Sequence, residues 1–133
     1  MRKTARQLDR EIADHIERDR LKRRIQKLLD KWQPILGVRV DEFRIKKMKA
    51  FGSLNLPARR LWISQSLATM SPADLEYVVV HELMHLLVGD EEGSGHDARF
   101  YALMDQHLPG WRRRHTKLRS ADGVVSRVLP GML

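Results

Sequence analysis

The sequence has 133 residues, of which 42% are apolar, so it can bury one hydrophobic core and is too short for two domains of ordinary size. It has no cysteine, which excludes disulfide bonds, cysteine nucleophiles and zinc sites with cysteine ligands. Its net charge is +8, no apolar run approaches the roughly 20 residues of a membrane span, and the N terminus has no secretory signal. We therefore expect one cytoplasmic domain over residues 1–133, without a membrane partner.

The first predicted element is a long, highly charged helix. Apolar residues recur at helical spacing from Ala5 to Trp32, and opposite charges lie three or four positions apart between them, which is typical of a helix with one solvated face. Pro34 is expected to end this helix and Gly37 to begin a turn, so residues 1–33 form an N-terminal helix. A helix of this length could be an inhibitory lid over the cleft or a structural brace, and we expect a brace because its apolar side chains need a partner.

Two short strands are predicted next. Residues 38–48 alternate between apolar and polar with one offset, which indicates a strand with a bulge or an end at that offset. The Phe-Gly-Ser sequence at 51–53 predicts a turn, and the Leu-Trp-Ile sequence at 61–63 predicts a second strand.

The clearest helix start in the sequence is at Ser71. Serine caps the helix, Pro72 occupies its first turn, and Asp74 completes a predicted capping box. The helix is expected to end near Gly89. The remaining predictions are a polar loop, a helix at 96–107, a short helix at 111–118, and a tail at 119–133 with no assigned element. Between the N-terminal helix and this tail, residues 38–118 form the predicted core region.

Residues 81–85 of this helix read His-Glu-Leu-Met-His. At about 100° per residue, His81 and His85 lie about 40° apart on one face, where a single zinc ion can accept a nitrogen from each imidazole. Glu82 flanks the same face and can take a proton from a metal-bound water without being a ligand. The sequence therefore predicts one Zn²⁺ per chain, with Glu82 as the catalytic residue.

Two histidines do not complete such a site, since catalytic zinc usually takes three protein ligands and one water. The longer metzincin motif would place a third histidine six residues after His85, where this sequence has Glu91. His96 is the best candidate, because the polar loop after the helix can return the chain to the metal. Glu91, Glu92 and Asp97 remain alternatives.

Two stretches, YVVVHELMHL and GHDARFYALM, together resemble the SprT-like and YgjP-like zinc metallopeptidases, which are minimal gluzincin-type domains with an HExxH…H motif. The Phe-Gly-Ser sequence at 51–53 is similar to a Trp-Gly-Ser motif of these families, whose following cysteine is Leu54 here. The resemblance covers about residues 45–115. It implies that His96 is the third zinc ligand.

The resemblance also implies the fold. We expect an α+β, zincin-like minimal metallopeptidase domain, with a small antiparallel or mixed sheet packed on the active-site helix and the long N-terminal helix in addition. Residues 38–118 would be its catalytic core. The strand at 61–64 would border the cleft and pair with an extended peptide or protein substrate.

The expected mechanism is hydrolysis of peptide bonds by a zinc-activated water. Zinc lowers the pKa of this water to about 7, and Glu82 accepts its proton and later protonates the leaving amine. An additional donor to the oxyanion is usual in such sites, and Tyr101, Tyr77 and His107 are the candidates. Tyr77 is equally suited to the core or to a position behind the metal ligands. Apart from this candidacy of His107, both His107 and His115 lie among basic or surface-like residues, and we expect no catalytic role for them.

The charge distribution suggests an alternative hypothesis about partners, beside the commoner explanation of a solvated basic surface. Residues 61–110 hold one basic and eight acidic side chains, so the excess positive charge lies in the flanks. Basic clusters there could follow a phosphate backbone and recruit an SprT-like protease to DNA. The clusters are Arg23-Arg24, Lys46-Lys47, Arg59-Arg60 and Arg112-Arg113-Arg114. Further alternatives are a zinc hydrolase of a non-peptide substrate and an inactive metal-binding module.

Overall fold

The computed structural model describes residues 2–89, 98–120 and 124–129. Its elements are, in chain order, α1 (Ala5–Leu36), β1 (Glu42–Lys46), β2 (Ala50–Asn55), β3 (Arg60–Ser64), a 3₁₀ turn (Gln65–Thr69), α2 (Pro72–Val88), α3 (Ala98–His107), α4 (Trp111–Ser120) and β4 (Val124–Leu129). The predicted α+β class is confirmed, since a small mixed sheet packs on α2 and a long helix precedes both.

Helix α1 is longer than predicted. Thr4 and Gln7 form a capping box at its start, and the helix continues past Pro34 to Leu36. Gly37 ends it with a φ of 68°, a left-handed conformation that glycine adopts without strain. The prediction that Pro34 ends the helix is wrong. The fixed φ of proline is itself helical, and so close to the helix end its missing N–H costs only one hydrogen bond.

Helix α1 buries side chains in its C-terminal half, where it packs on α2. The buried residues are Leu21, Ile25, Leu29, Trp32 and Leu36. The indole N–H of Trp32 donates to Glu76 of α2 at 2.9 Å. In contrast, Leu8, Ile12 and Ile16 of the N-terminal half are 46%, 57% and 50% exposed. The predicted bracing contact is therefore made by the C-terminal half of the helix.

The four described strands form one sheet in the order β1-β3-β2-β4. β3 runs parallel to β1 and antiparallel to β2, and β4 runs parallel to β2. Both edges of β3 are thus already hydrogen-bonded. The prediction that the strand at 61–64 pairs with substrate is wrong, because a peptide can extend a sheet only at an open edge.

The first two strands also differ from their predictions. β1 is shorter than the predicted strand at 38–48, and the N–H of Val40 instead donates to the side chain of Gln33 at 2.8 Å. The predicted turn at 51–53 lies inside β2, where Gly52 is paired with Ile63 of β3. Glycine and serine favour turns locally, but cross-strand pairing overrides that preference here.

Residues 119–133, predicted as a tail without an element, contribute the end of α4 and all of β4. β4 pairs in parallel with β2, with Ser126 opposite Gly52 and Leu129 opposite Asn55. A strand whose partner lies more than 60 residues earlier leaves little local signal, because its stability depends on the distant partner.

Helix α2 passes through the core of the domain. All nine side chains from Tyr77 to His85 are buried, and each fully buried valine or leucine among them contributes about 1.5–3 kcal/mol to the stability of the fold.

As predicted, the Ser71 side chain caps the helix by accepting from the N–H of Asp74 at 3.2 Å. The Asp74 carboxylate, predicted to complete a capping box, accepts instead from Arg114 and Lys117 of α4. Burial alone would raise the pKa of Asp74, but these hydrogen bonds outweigh it and hold the pKa below its ordinary value.

Candidate metal centre

The two histidines of the HELMH motif lie one turn apart on α2 and converge. Nε2 of His81 is 3.1 Å from Nε2 of His85, and the two side chains are 1% and 2% exposed. Two lone pairs that face each other at this distance need a proton or a cation between them. Nitrogens that share a tetrahedral zinc ion at about 2.0–2.1 Å lie about 3.3 Å apart, so the observed spacing fits zinc.

Glu82 lies against β2, and its position depends on a glycine there. The Glu82 side chain is fully buried, and a Cβ atom built on Gly52 would lie 2.7 Å from Oε1 and 3.0 Å from Cγ and Cδ. No side chain at position 52 is compatible with this position of the carboxylate. Gly52 was not predicted as a site residue because its sequence context favours a turn, and the available signal was the Phe-Gly-Ser motif of the resemblance.

The predicted third ligand, His96, lies outside the described residues, as do the alternatives Glu91, Glu92 and Asp97. Across residues 2–89, 98–120 and 124–129, no group of three or more histidine, aspartate or glutamate side chains is arranged to hold a metal ion. The identity of the third ligand therefore stays a prediction.

Tyr77 lies behind His81, within the core. Its hydroxyl is 2.9 Å from Nδ1 of His81 and 2.6 Å from Nδ1 of His115, and its side chain is fully buried. Burial, together with the negative charge of Glu82, raises the pKa of Tyr77, so this side chain is a neutral phenol. Its hydroxyl contacts the nitrogen of His81 that does not face His85. This position fits both predicted alternatives, a core residue and a residue behind the predicted metal ligands.

The structure places His115 next to His81, although the sequence analysis predicted it among basic or surface-like residues. Its ring is nearly parallel to that of His81, with an angle of 11° and 6.1 Å between the centroids. His115 and Trp111 are four residues apart on one face of α4. That spacing is visible in the sequence, but nothing local indicates that this face meets α2.

A cavity of about 360 Å³ opens beside His81. Its other lining residues are Phe100, Tyr101, Trp111, Arg112, His115 and Thr116. Tyr101 is 37% exposed and stacks on Trp111 with 5.9 Å between the centroids. The third candidate oxyanion donor, His107, does not line this cavity. Its ring lies nearly perpendicular to that of Trp32, with 6.5 Å between the centroids.

Most of the predicted basic clusters are engaged by groups of this chain. Seven of the nine side chains contact a carboxylate, a backbone carbonyl or an aromatic ring: Arg23, Arg24, Lys46, Lys47, Arg60, Arg112 and Arg114. Arg24, for example, donates to the carbonyl groups of Ala68 and Met70. These contacts favour a role of the cations within the fold over the nucleic-acid hypothesis.

None of the helices in the described ranges is long and apolar enough to cross a membrane.

Two solved structures share this fold. The metallopeptidase zymogen abylysin of Pyrococcus abyssi matches with a TM-score of 0.64 and 16% sequence identity, over 79% of this chain and 99% of that chain. The metallopeptidase zymogen jannalysin of Methanocaldococcus jannaschii matches with a TM-score of 0.63 and 17% identity, over 73% and 95% of the two chains. The architecture is therefore that of a minimal metallopeptidase.

The family follows from the sequence itself. A model described as the YgjP-like metallopeptidase domain matches residues 2–121. Because this match spans most of the chain, the protein belongs to the YgjP-like metallopeptidase family. The predicted resemblance to this family is thus confirmed. Among curated proteins, none matches the sequence significantly.

Proposed function

We propose that this protein is a zinc-dependent peptidase in which His81, His85 and His96 bind one Zn²⁺ and Glu82 is the general base. The observation that carries the proposal is the 3.1 Å approach of the two Nε2 atoms next to a buried carboxylate on the same helix. Membership in a metallopeptidase family supports the same function.

The chemistry divides between the metal and the protein. A zinc ion at this position would lower the pKa of a bound water to about 7 and polarise the substrate carbonyl. Glu82 accepts one proton from the attacking water and delivers it to the amine as the C–N bond breaks. Gly52 leaves room for the Glu82 carboxylate, because a Cβ atom at this position would lie 2.7 Å from Oε1. Water is thereby added across the peptide bond, with no other reactant.

Tyr101 is the better supported of the two tyrosine candidates for the oxyanion donor. It borders the cavity beside His81 and is partly exposed. The Tyr77 hydroxyl, in contrast, is buried and shared between two imidazoles. A donor to a developing oxyanion must be directed at the substrate, which favours Tyr101.

The zinc content of His96→Ala tests the ligand set. We expect about one zinc per wild-type chain and its loss in the variant, because the loss of one of three ligands weakens zinc binding severely. Elemental mass spectrometry on protein purified without a metal-affinity tag measures both, and His107→Ala is the matched control that keeps its zinc. Zinc retained in His96→Ala would assign the third ligand to Glu91, Glu92 or Asp97. Wild-type protein that binds no added zinc would contradict the proposed function.

We also propose that β4 keeps this form of the enzyme latent. β4 occupies the edge of β2, with Ser126 opposite Gly52, the residue that contacts Glu82. A substrate that pairs with β2 beside Glu82 has to displace β4 first. Abylysin and jannalysin, which share the fold, are both described as zymogens, and this supports latency here.

Deletion of residues 121–133 is expected to raise kcat/KM for peptide hydrolysis at least about 10-fold, because a tethered strand competes at a high effective concentration. The assay compares the protein of residues 1–133 with the truncated protein on a fluorogenic peptide library, after both are shown to be folded and zinc-loaded. A synthetic peptide of residues 121–133 should inhibit the truncated protein, whereas a scrambled peptide should not. Equal activity of the two forms would contradict latency and leave the proposed peptidase function intact.

A further inference from the structure

Three aromatic side chains form a hydrogen-bonded chain that leads away from the candidate metal centre. The Tyr77 hydroxyl lies between Nδ1 of His81, at 2.9 Å, and Nδ1 of His115, at 2.6 Å. Tyr77 precedes His81 by one turn of α2, while His115 comes from α4. The chain therefore connects the first histidine of the motif to a helix near the C-terminal end of the fold.

The direction of the hydrogen bonds follows from proton counting. A phenol has one proton to donate and can accept through its oxygen, and a neutral imidazole carries its proton on one nitrogen only. Metal binding through Nε2 of His81 requires the proton of that ring to be on Nδ1. Nδ1–H of His81 then donates to Tyr77, and the hydroxyl of Tyr77 donates to Nδ1 of His115. The reverse direction would place the proton of His81 on Nε2 and block the metal.

We propose that Tyr77 and His115 are positioning residues that hold His81 in the tautomer and orientation that bind the metal. This inference rests on the proposed zinc site. Histidine ligands usually donate their second N–H to a carboxylate, a carbonyl or a water. Here a buried phenol takes that place, and its orientation is maintained by an imidazole on a different helix.

Ring packing restricts the same three side chains. His115 lies nearly parallel to His81, and Trp111 stacks on Tyr77 at 8° with 6.5 Å between the centroids. Phe100 meets His81 edge to face, with 5.2 Å between the centroids. The His81 ring is thus held from two sides, and the single hydroxyl of Tyr77 determines which of its nitrogens carries the proton.

The test is the zinc dissociation constant, measured by competition with a chromogenic chelator at one pH. Tyr77→Phe removes one oxygen atom and is expected to weaken zinc binding about 10- to 100-fold, as loss of a partner behind a metal ligand typically does. His115→Leu should weaken it in the same direction. His107→Leu, the same substitution outside the site, should not change it.

A rescue variant separates hydrogen bonding from packing. His115→Asn places an acceptor oxygen at the position of Nδ1, so it should bind zinc within about threefold of wild type although it loses the ring stacking. In zinc-loaded wild-type protein, nitrogen-15 NMR should detect a slowly exchanging proton on Nδ1 of His81. That proton should exchange rapidly in Tyr77→Phe.

The outcomes distinguish this inference from the proposed function. If wild-type protein binds zinc and both Tyr77→Phe and His115→Leu bind it equally tightly, the positioning role is overturned and the zinc site stands. If His115→Asn weakens zinc binding as much as His115→Leu does, packing rather than hydrogen bonding is responsible. The proposed positioning role through hydrogen bonds is then also overturned. If the wild type itself binds no zinc, both proposals fail together. Thermal unfolding of each variant confirms that the comparison is made on folded protein.

Discussion

Glu82→Gln is expected to lower kcat/KM for peptide hydrolysis by about 10³-fold, within the range by which a general base contributes to catalysis. Glutamine has the same shape as glutamate and fits the buried space against Gly52, but its amide cannot accept a proton from water. Zinc content should stay at the wild-type level, because Glu82 is not a predicted ligand. Initial rates on a fluorogenic peptide, measured beside elemental analysis of the same samples, give both results.

A control for this substitution is available on the same helix. Glu76 lies outside the site, where it accepts hydrogen bonds from Trp32 and Lys31 at 2.9 Å each. Glu76→Gln should therefore retain kcat/KM within about twofold, with an effect on stability of roughly 1 kcal/mol. Peptidase activity that survives in Glu82→Gln would contradict the assignment of the base. Activity lost together with zinc would indicate that Glu82 has a structural role at the metal.

Gly52→Ala is expected to reduce kcat about 100-fold while zinc stays bound. The new Cβ would lie 2.7 Å from Oε1 of Glu82, closer than such atoms approach, so either the carboxylate or strand β2 has to move. A displacement of about 1 Å from the reacting geometry can lower a rate by 10²-fold. The three atoms nearest to the new Cβ all belong to Glu82 and none to the histidine pair, so zinc affinity is the quantity that we expect to stay constant.

The double variant Gly52→Ala/Glu82→Gln shows whether the glycine acts through the base. If it does, the double variant should be no less active than Glu82→Gln alone, because the two substitutions remove the same contribution. Additive losses would instead indicate that Gly52 contributes independently, for example by its pairing with β3 and β4. Wild-type kcat in folded Gly52→Ala would show that the carboxylate tolerates displacement, against the expectation.

The two histidines and the glutamate of the candidate site could be predicted from the sequence because they lie on one helix. Helical geometry alone places His81 and His85 on one face, and the structure has their Nε2 atoms 3.1 Å apart. The contribution of Gly52 could not be derived from spacing, since it depends on how β2 packs on α2. His115 was missed for the same reason, because its contact with Tyr77 joins residues 38 positions apart.

The helices were predicted better than the strands. Helices α2 and α4 begin at residues that the sequence indicated, since caps, prolines and apolar periodicity are local signals. The turn predicted at 51–53 became part of β2, and β4 was not predicted at all. Strands are stabilised by partners that lie far away in the chain, so their local signal is weaker.

The sequence by itself determined the HELMH motif and the starts of α2 and α4, because these depend on periodicity, capping and spacing within about 20 residues, and its resemblance to a known family implied the class of the fold. The tertiary structure alone decided which strand edge lies beside Gly52, which glycine makes room for the Glu82 carboxylate, and which side chains contact His81. These features arise where α2, α4 and the sheet meet. Contacts between distant segments depend on three-dimensional packing, which no local pattern of residues encodes.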